Sequence, residues 1–128
     1  MKTRKFASCR CAFTLVEMVI TVGIIGLLAV IAFPNFVVAR DNSRLSVIRR
    51  NLRQVEEAKE QWATEQRRGN GAPVNNMSDL SPYLRGGRII QVVNETYVPN
   101  PVGAAPGAAL PPGVPLGPYP PGAVIVAP

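Results

Sequence analysis

Histidine is absent from the 128-residue sequence, and the only two cysteines are Cys9 and Cys11. Without histidine, the serine–histidine and cysteine–histidine pairs that most covalent catalysts use cannot be assembled. The Cys-x-Cys pair has neither a histidine nor a second cysteine pair that would complete a zinc site. After residue 68 only Asp79 and Glu95 carry carboxylates, which are fewer oxygen ligands than calcium requires. We therefore expect no enzyme activity, no metal site and no cofactor.

Basic charge is plentiful but is concentrated at the amino end of the chain. Fourteen Lys and Arg side chains against eight Asp and Glu give a formal net charge of +6. The first twelve residues hold four of the basic side chains and none of the acidic ones, so residues 13–128 carry ten against eight, or +2. This distribution is not typical of a nucleic-acid-binding surface. No nucleic-acid partner is expected.

A long apolar run follows the basic amino end. It extends over 21 residues from Phe13 to Phe33 and contains a single charged side chain, Glu17. At about 1.5 Å of rise per residue, a helix of this length spans roughly 30 Å, the hydrocarbon thickness of a bilayer. We therefore predict a transmembrane helix over residues 13–34. Because a carboxylate inside a membrane is costly, Glu17 is expected to interact with a partner.

The residues around this run resemble a known family. A short basic leader over residues 1–12, ending in Ala12, is followed by Phe-Thr-Leu-Val-Glu at 13–17, an apolar run and a proline. This pattern is similar to the amino terminus of type IV prepilins and type II secretion pseudopilins. The resemblance implies that prepilin peptidase cuts between Ala12 and Phe13 and that the new amino terminus of Phe13 is methylated. In relatives the residue before the cut is usually glycine, and here it is alanine.

The resemblance also assigns residues to filament assembly. Glu17 matches the glutamate that pairs with the amino terminus of a neighbouring subunit. Gly26 and Pro34 match the glycine and proline that bracket the stretch where the helix loosens inside filaments. The implied function is a structural subunit of a type IV pilus or a type II secretion pseudopilus. The implied partners are prepilin peptidase, copies of the chain or related pilins, the inner membrane and an assembly platform protein.

Membrane orientation follows from the resemblance and not from the charges. Positive charges on the two sides of the apolar run are close to even, so the positive-inside rule does not orient it. The resemblance implies a cytoplasmic amino terminus, a periplasmic carboxyl end and a later place in a filament. Two alternatives stay open: a secreted small protein with an ordinary signal peptide cut after Ala32, and a plain signal-anchored protein that keeps Met1.

Residues 35–68 are predicted to continue the helix in amphipathic form, with Pro34 removing one hydrogen bond and bending it. Apolar side chains recur at helical spacing on one face and form an apolar stripe: Leu45, Ile48, Leu52, Val55, Ala58 and Trp62. Of these, Val55 and Trp62 are expected to pack against the small head that follows the helix. Residues 40–53 carry a net charge of +4 and residues 56–65 carry −3. These charges either form a solvated face or set the register between staggered copies.

The remaining chain is predicted to form a small head and an irregular tail. Residues 69–98 should form a short turn of helix and a hairpin that pairs residues 88–93 with residues 96–98. Residues 99–128 hold ten of the thirteen prolines and no charge, so they are expected to be extended or disordered. The predicted fold class is α+β, mostly α: one long N-terminal helix, a very small helix-plus-hairpin head and a Pro/Gly-rich tail.

Overall fold

The computed structural model describes residues 13–127 of the chain. Its main element is α1, a helix of 51 residues that spans Leu15–Glu65. The chain forms two compact units that divide within this helix, the first ending at Phe36 and the second beginning at Val37. A long N-terminal helix with a small sheet-bearing head confirms the predicted α+β, mostly α, fold class.

The carboxyl end of α1 is closed by a Schellman motif. The Arg68 amide donates to the Ala63 carbonyl (2.8 Å), and the Arg67 amide donates to the Thr64 carbonyl (3.3 Å). Arg67 takes the left-handed conformation that the motif requires, with φ of 51°. The helix was predicted to reach residue 68. The structure differs because an arginine enters the left-handed region before Gly69 is reached.

Two short 3₁₀ helices follow, spanning Met77–Tyr83 and Arg85–Gly87. Three strands then form one antiparallel sheet in the order β1-β2-β3: β1 is Thr96–Val98, β2 is Gly107–Ala109 and β3 is Val124–Val126. The middle residues of the three strands are Tyr97, Ala108 and Ile125, and they stand opposite one another in the register. All three are buried, so this row forms the inner face of the sheet.

The predicted hairpin between residues 88–93 and 96–98 is wrong. The amides of Val92 and Val93 donate to the carboxylate of Glu95 and are therefore not available to a strand ladder. Strand β1 pairs instead with residues 107–109 of the tail.

The tail also differs from the expectation of disorder. Residues 107–110 and 122–127 of the tail contain no proline, and strands β2 and β3 form in these two segments. The Leu110 amide donates to the Ala123 carbonyl at 2.9 Å, which extends the contact between these segments. An added Cβ at Gly107 would lie 3.0 Å from a methyl group of Val124, so a larger residue here requires the Val124 side chain to shift. The head therefore contains two tail strands that the predicted boundary at residue 98 left out.

The core of the second unit lies between α1 and the segments that follow it. The helix contributes residues that repeat every three or four positions, and the loops and strands contribute the others. The fully buried apolar side chains on which the core centres are Ile48, Leu52, Val55, Leu80, Leu116 and Ile125.

Candidate functional site

The amino end of α1 is closed by a capping box between Thr14 and Glu17. The Thr14 amide donates to Oε2 of Glu17 (3.1 Å), and the Glu17 amide donates to Oγ1 of Thr14 (3.2 Å). The Thr14 hydroxyl also donates to the same carboxylate oxygen at 2.9 Å. These reciprocal bonds satisfy two backbone amides that the first turn of a helix leaves without partners. Glu17 thus has a function within its own helix, besides the intermolecular one that the sequence predicted.

The apolar half of α1 is exposed along its whole length. The helix is long and apolar enough to cross a bilayer, and none of its apolar stretch is buried. Leu27, for example, is 71% exposed, and Phe13 before the helix is 72% exposed. A continuous apolar surface of this size marks an interaction with a membrane or with other proteins. The first half of α1 therefore has the length, the composition and the exposed apolar surface of a membrane anchor.

Gly26 and Pro34 lie in this exposed half. An added Cβ at Gly26 would have no neighbour within 4 Å, so packing within one copy does not require glycine there. Helix α1 continues through Pro34, and the bend that the sequence predicted at this proline stays a prediction. Ala12 and the leader lie outside the described residues. The roles assigned to all these positions stay predictions.

Val55 and Trp62 lie on the buried face of α1. Val55 is fully buried in the core, and Trp62 is partly buried and packs against the same cluster. Three polar or charged residues are buried in this unit as well, namely Asn51, Lys59 and Glu95. Sequence reasoning did not select them, and two of them lie on the helix beside the apolar stripe.

Glu95 is a fully buried carboxylate at the centre of a hydrogen-bond network. It accepts from the Val93 amide (2.8 Å), the Val92 amide (3.1 Å) and the Tyr97 hydroxyl (2.8 Å). The Asn51 side chain donates to the Tyr97 hydroxyl (2.9 Å) and thereby connects α1 to the network. Such a network fixes the approach of β1 to the helix because each of these polar atoms needs its partner.

The charges in this network follow from its hydrogen bonds. Burial alone raises the pKa of Glu95, but the amides of Val93, Glu95 and Val92 and the Tyr97 hydroxyl outweigh it, so the pKa lies below its ordinary value. For Tyr97, burial first and then the Glu95 carboxylate raise the pKa of the hydroxyl. Tyr97 therefore stays a neutral donor to an ionised Glu95 at neutral pH.

Lys59 is a fully buried cation that connects α1 to the tail. Its Nζ donates to the carbonyls of Pro101 (3.4 Å) and Ala104 and lies 3.1 Å from Oε2 of Glu56. The lysine therefore satisfies carbonyls of a proline-rich segment that has few amide partners of its own. Glu56 and Lys59 lie three residues apart, a spacing that places their side chains next to each other on a helix.

The other helix charges face outwards. Among residues 13–127, ion pairs form between Arg44 and Asp41 (3.9 Å) and between Lys59 and Glu56. Arg53 and Glu57, four residues apart on the helix, do not form an ion pair with each other. Exposed side chains of both signs are thus left along the second half of α1.

Some of these features had a signal in the sequence. Thr14-x-x-Glu17 directly before an apolar run is the signature of a capping box. Asn51 and Lys59 lie three or four positions from apolar stripe residues, which places them beside the buried face. No local sequence pattern indicates the hydrogen-bond network around Glu95. Among the described residues, no three acidic or cysteine side chains come together as metal ligands.

Comparisons with known proteins match a family motif and a relative. Residues 8–33 match the family model described as the prokaryotic N-terminal methylation motif. The chain is also 37% identical over 68 residues to the type IV major pilin protein PilA of Myxococcus xanthus (strain DK1622). That alignment covers 53% of this chain and 31% of the relative, so the chain spans about a third of its length. No solved structure matches the chain. The motif and the relative confirm the resemblance of this chain to type IV prepilins.

Proposed function

We propose that this chain is a pilin-like structural subunit that polymerises through α1 into a type IV pilus or a type II secretion pseudopilus. The observation that supports the proposal most is the exposed apolar half of α1, which overlaps the methylation motif at residues 8–33. One copy cannot bury this surface by itself. Lipid covers it before assembly, and the helices of other copies cover it in a filament.

Processing comes first in this proposal. Prepilin peptidase cuts between Ala12 and Phe13 on the cytoplasmic face of the inner membrane, and the new Phe13 amine is methylated. The rest of the chain lies in the periplasm, and an assembly platform protein moves processed copies into the filament. The chain acts as a substrate and a building block, without enzyme activity of its own.

Assembly then depends on the amino end of α1. Glu17 of one copy pairs with the Phe13 amine of a neighbour, which lowers the cost of a carboxylate in the membrane. Oε2 of Glu17 already accepts hydrogen bonds from Thr14, and a carboxylate has further lone pairs for a second donor. Capping and intermolecular pairing are therefore compatible at one side chain.

The mass of the amino-terminal peptide tests the processing step. The chain is expressed with its peptidase, and we expect methylated Phe13. A chain that begins at Phe33 would show an ordinary signal peptide cut after Ala32, and one that keeps Met1 would show a plain signal anchor. Either result contradicts the proposal. The matched variant Ala12→Gly restores the usual residue before the cut and should be processed at least as fast.

A further inference from the structure

Two shallow grooves of opposite charge lie next to each other on the outer side of the second unit. The basic groove is lined by Arg50, Arg53 and Arg85, and also by Tyr83 and by Glu57, which the two grooves share. The acidic groove is lined by Glu57, Glu60 and Glu65 and has no basic side chain. Both grooves lie along α1 and belong to one compact unit.

The spacing of these charges repeats along the helix. Glu57 follows Arg50 by seven residues, and Glu60 follows Arg53 by seven residues. Seven residues are nearly two helical turns, or roughly 10.5 Å, so each pair lies on the same side of α1. All four side chains are exposed, and none forms an ion pair with another described residue.

We propose that the acidic groove of one copy docks on the basic groove of a second, parallel copy that is displaced by about two helical turns. In this arrangement Arg50 and Arg53 of one copy lie beside Glu57 and Glu60 of the other. An antiparallel pair would also match the charges, with Arg50 beside Glu60. The parallel choice rests on the proposed function, because membrane-anchored copies all enter the bilayer in one direction. Two grooves on each copy allow the contact to repeat along a filament.

Charge reversal tests the contact in the full chain, with sheared filaments as the readout. Arg50→Glu and Glu57→Lys should each reduce the filament yield about fivefold, because an attraction becomes a repulsion at each contact. The double variant Arg50→Glu/Glu57→Lys should return to within about twofold of the unchanged chain, since the pair is restored with its signs exchanged. Asp79→Lys changes the net charge as Glu57→Lys does, at an exposed position away from both grooves, and should have no effect.

Cross-linking tests the direction. Two differently tagged copies carry Arg50→Cys and Glu57→Cys, Cys9 and Cys11 are replaced by serine, and a thiol-reactive cross-linker is added to membranes. We expect the tagged copies to be joined, and a matched pair with Arg50→Cys and Glu60→Cys to be joined at least fivefold less. The reverse preference would mean antiparallel contact and would overturn the proposal.

Two further outcomes would also overturn it. A double variant that assembles no better than the single variants would show that Arg50 and Glu57 do not meet. A defect confined to Arg50→Glu, together with binding of the unchanged chain to duplex DNA, would assign the basic groove to nucleic acid. Failure of the proposed function has a different signature, since the unchanged chain would then keep Met1 and form no filaments. Filaments of chains that begin at Phe13, without the cross-link between positions 50 and 57, would reject only this interface.

Discussion

The two parts of α1 have the same backbone conformation but bury their apolar side chains in different ways. Leu27 in the first unit is 71% exposed, whereas Leu52 in the second unit is fully buried. The second unit surrounds its stretch of helix with loops and a sheet from its own chain. The first unit has no such cover among the described residues. In the proposed function this surface is covered first by the bilayer and then by other copies.

This difference separates two kinds of stability. Burial of apolar surface and satisfied polar groups stabilise the second unit within one copy. The first unit is stabilised by its helical hydrogen bonds and by its capping box, and its apolar surface contributes only when something covers it. Variants in the second unit should therefore change folding, and variants in the first should change assembly.

The largest effect is expected at Glu17. Glu17→Ala should abolish filaments while leaving cleavage and membrane insertion intact, because it removes the carboxylate that pairs with the Phe13 amine. Immunoblots of sheared filaments and the amino-terminal mass measure the two properties separately.

Glu17→Gln is the matched control, because glutamine keeps the acceptor oxygen that the capping box needs and loses the charge. We expect this variant to assemble no better than Glu17→Ala, although the first turn of its α1 helix forms as in the unchanged chain. Filaments from the glutamine variant would show that Glu17 serves only its own helix. Glu17 would then give no support to an intermolecular role of the first unit.

The next largest effect concerns the core of the second unit. Leu52→Ala should lower the free energy of unfolding by about 3 kcal/mol, because the removed methyl groups leave a cavity between α1 and the head. Thermal unfolding in detergent, followed by near-ultraviolet circular dichroism of Trp62 and the tyrosines, measures it.

Leu27→Ala makes the same change in the first unit and should leave this unfolding transition where it is. An equal loss in both variants would mean that the two halves of α1 do not differ as their burial indicates. It would also mean that the apolar half supports the folded head.

The long helix and the small sheet also differ in how much of their structure can be predicted from the sequence. The helix follows from local features that one copy carries: the apolar run, its length and the stripe with Val55. The membrane interpretation likewise needed only the composition of residues 13–34. The sheet required contacts between segments far apart in the chain, with strands of three residues each. No strand periodicity can be recognised over so short a length.

The error in the tail has a specific cause. Ten prolines argue against packing of residues 99–128, but prolines restrict only their own positions and immediate neighbours. Lys59 supplies donors to carbonyls of this segment, so the tail packs on α1 without a continuous ladder. The charge of a lysine does not indicate from sequence that its ammonium group will be buried against a distant turn.

A smaller effect, with a defined pH dependence, is expected at Glu95. Glu95→Gln should lower the free energy of unfolding by about 1–3 kcal/mol, because a neutral amide has one acceptor oxygen in place of two and no charge to strengthen the hydrogen bonds that it accepts. The folded pKa of Glu95 lies below its unfolded value of 4.5. The carboxylate therefore contributes stability above pH 4.5, and this contribution is lost as the pH falls through the folded pKa.

The unchanged chain should consequently lose more stability than Glu95→Gln on acidification from neutral pH to about pH 3. Urea unfolding at a series of pH values measures this difference, with Asp79→Asn as a control for an exposed carboxylate. Parallel pH curves for the unchanged chain and Glu95→Gln would show that Glu95 does not stabilise the second unit through its charge.

The smallest effect is expected at Tyr83, whose hydroxyl donates to Glu65 at 2.6 Å on the surface of the second unit. The hydrogen bond to Glu65 raises the pKa of Tyr83. Glu65→Gln removes the negative charge and should lower that pKa toward its ordinary value, as measured by alkaline ultraviolet titration with Tyr83→Phe as the blank. Because water replaces a surface hydrogen bond, Tyr83→Phe should leave the Tm unchanged within error. A loss of stability as large as that of Glu95→Gln would mean that surface contacts stabilise the second unit as much as its interior does. Burial would then not explain the difference between the two units.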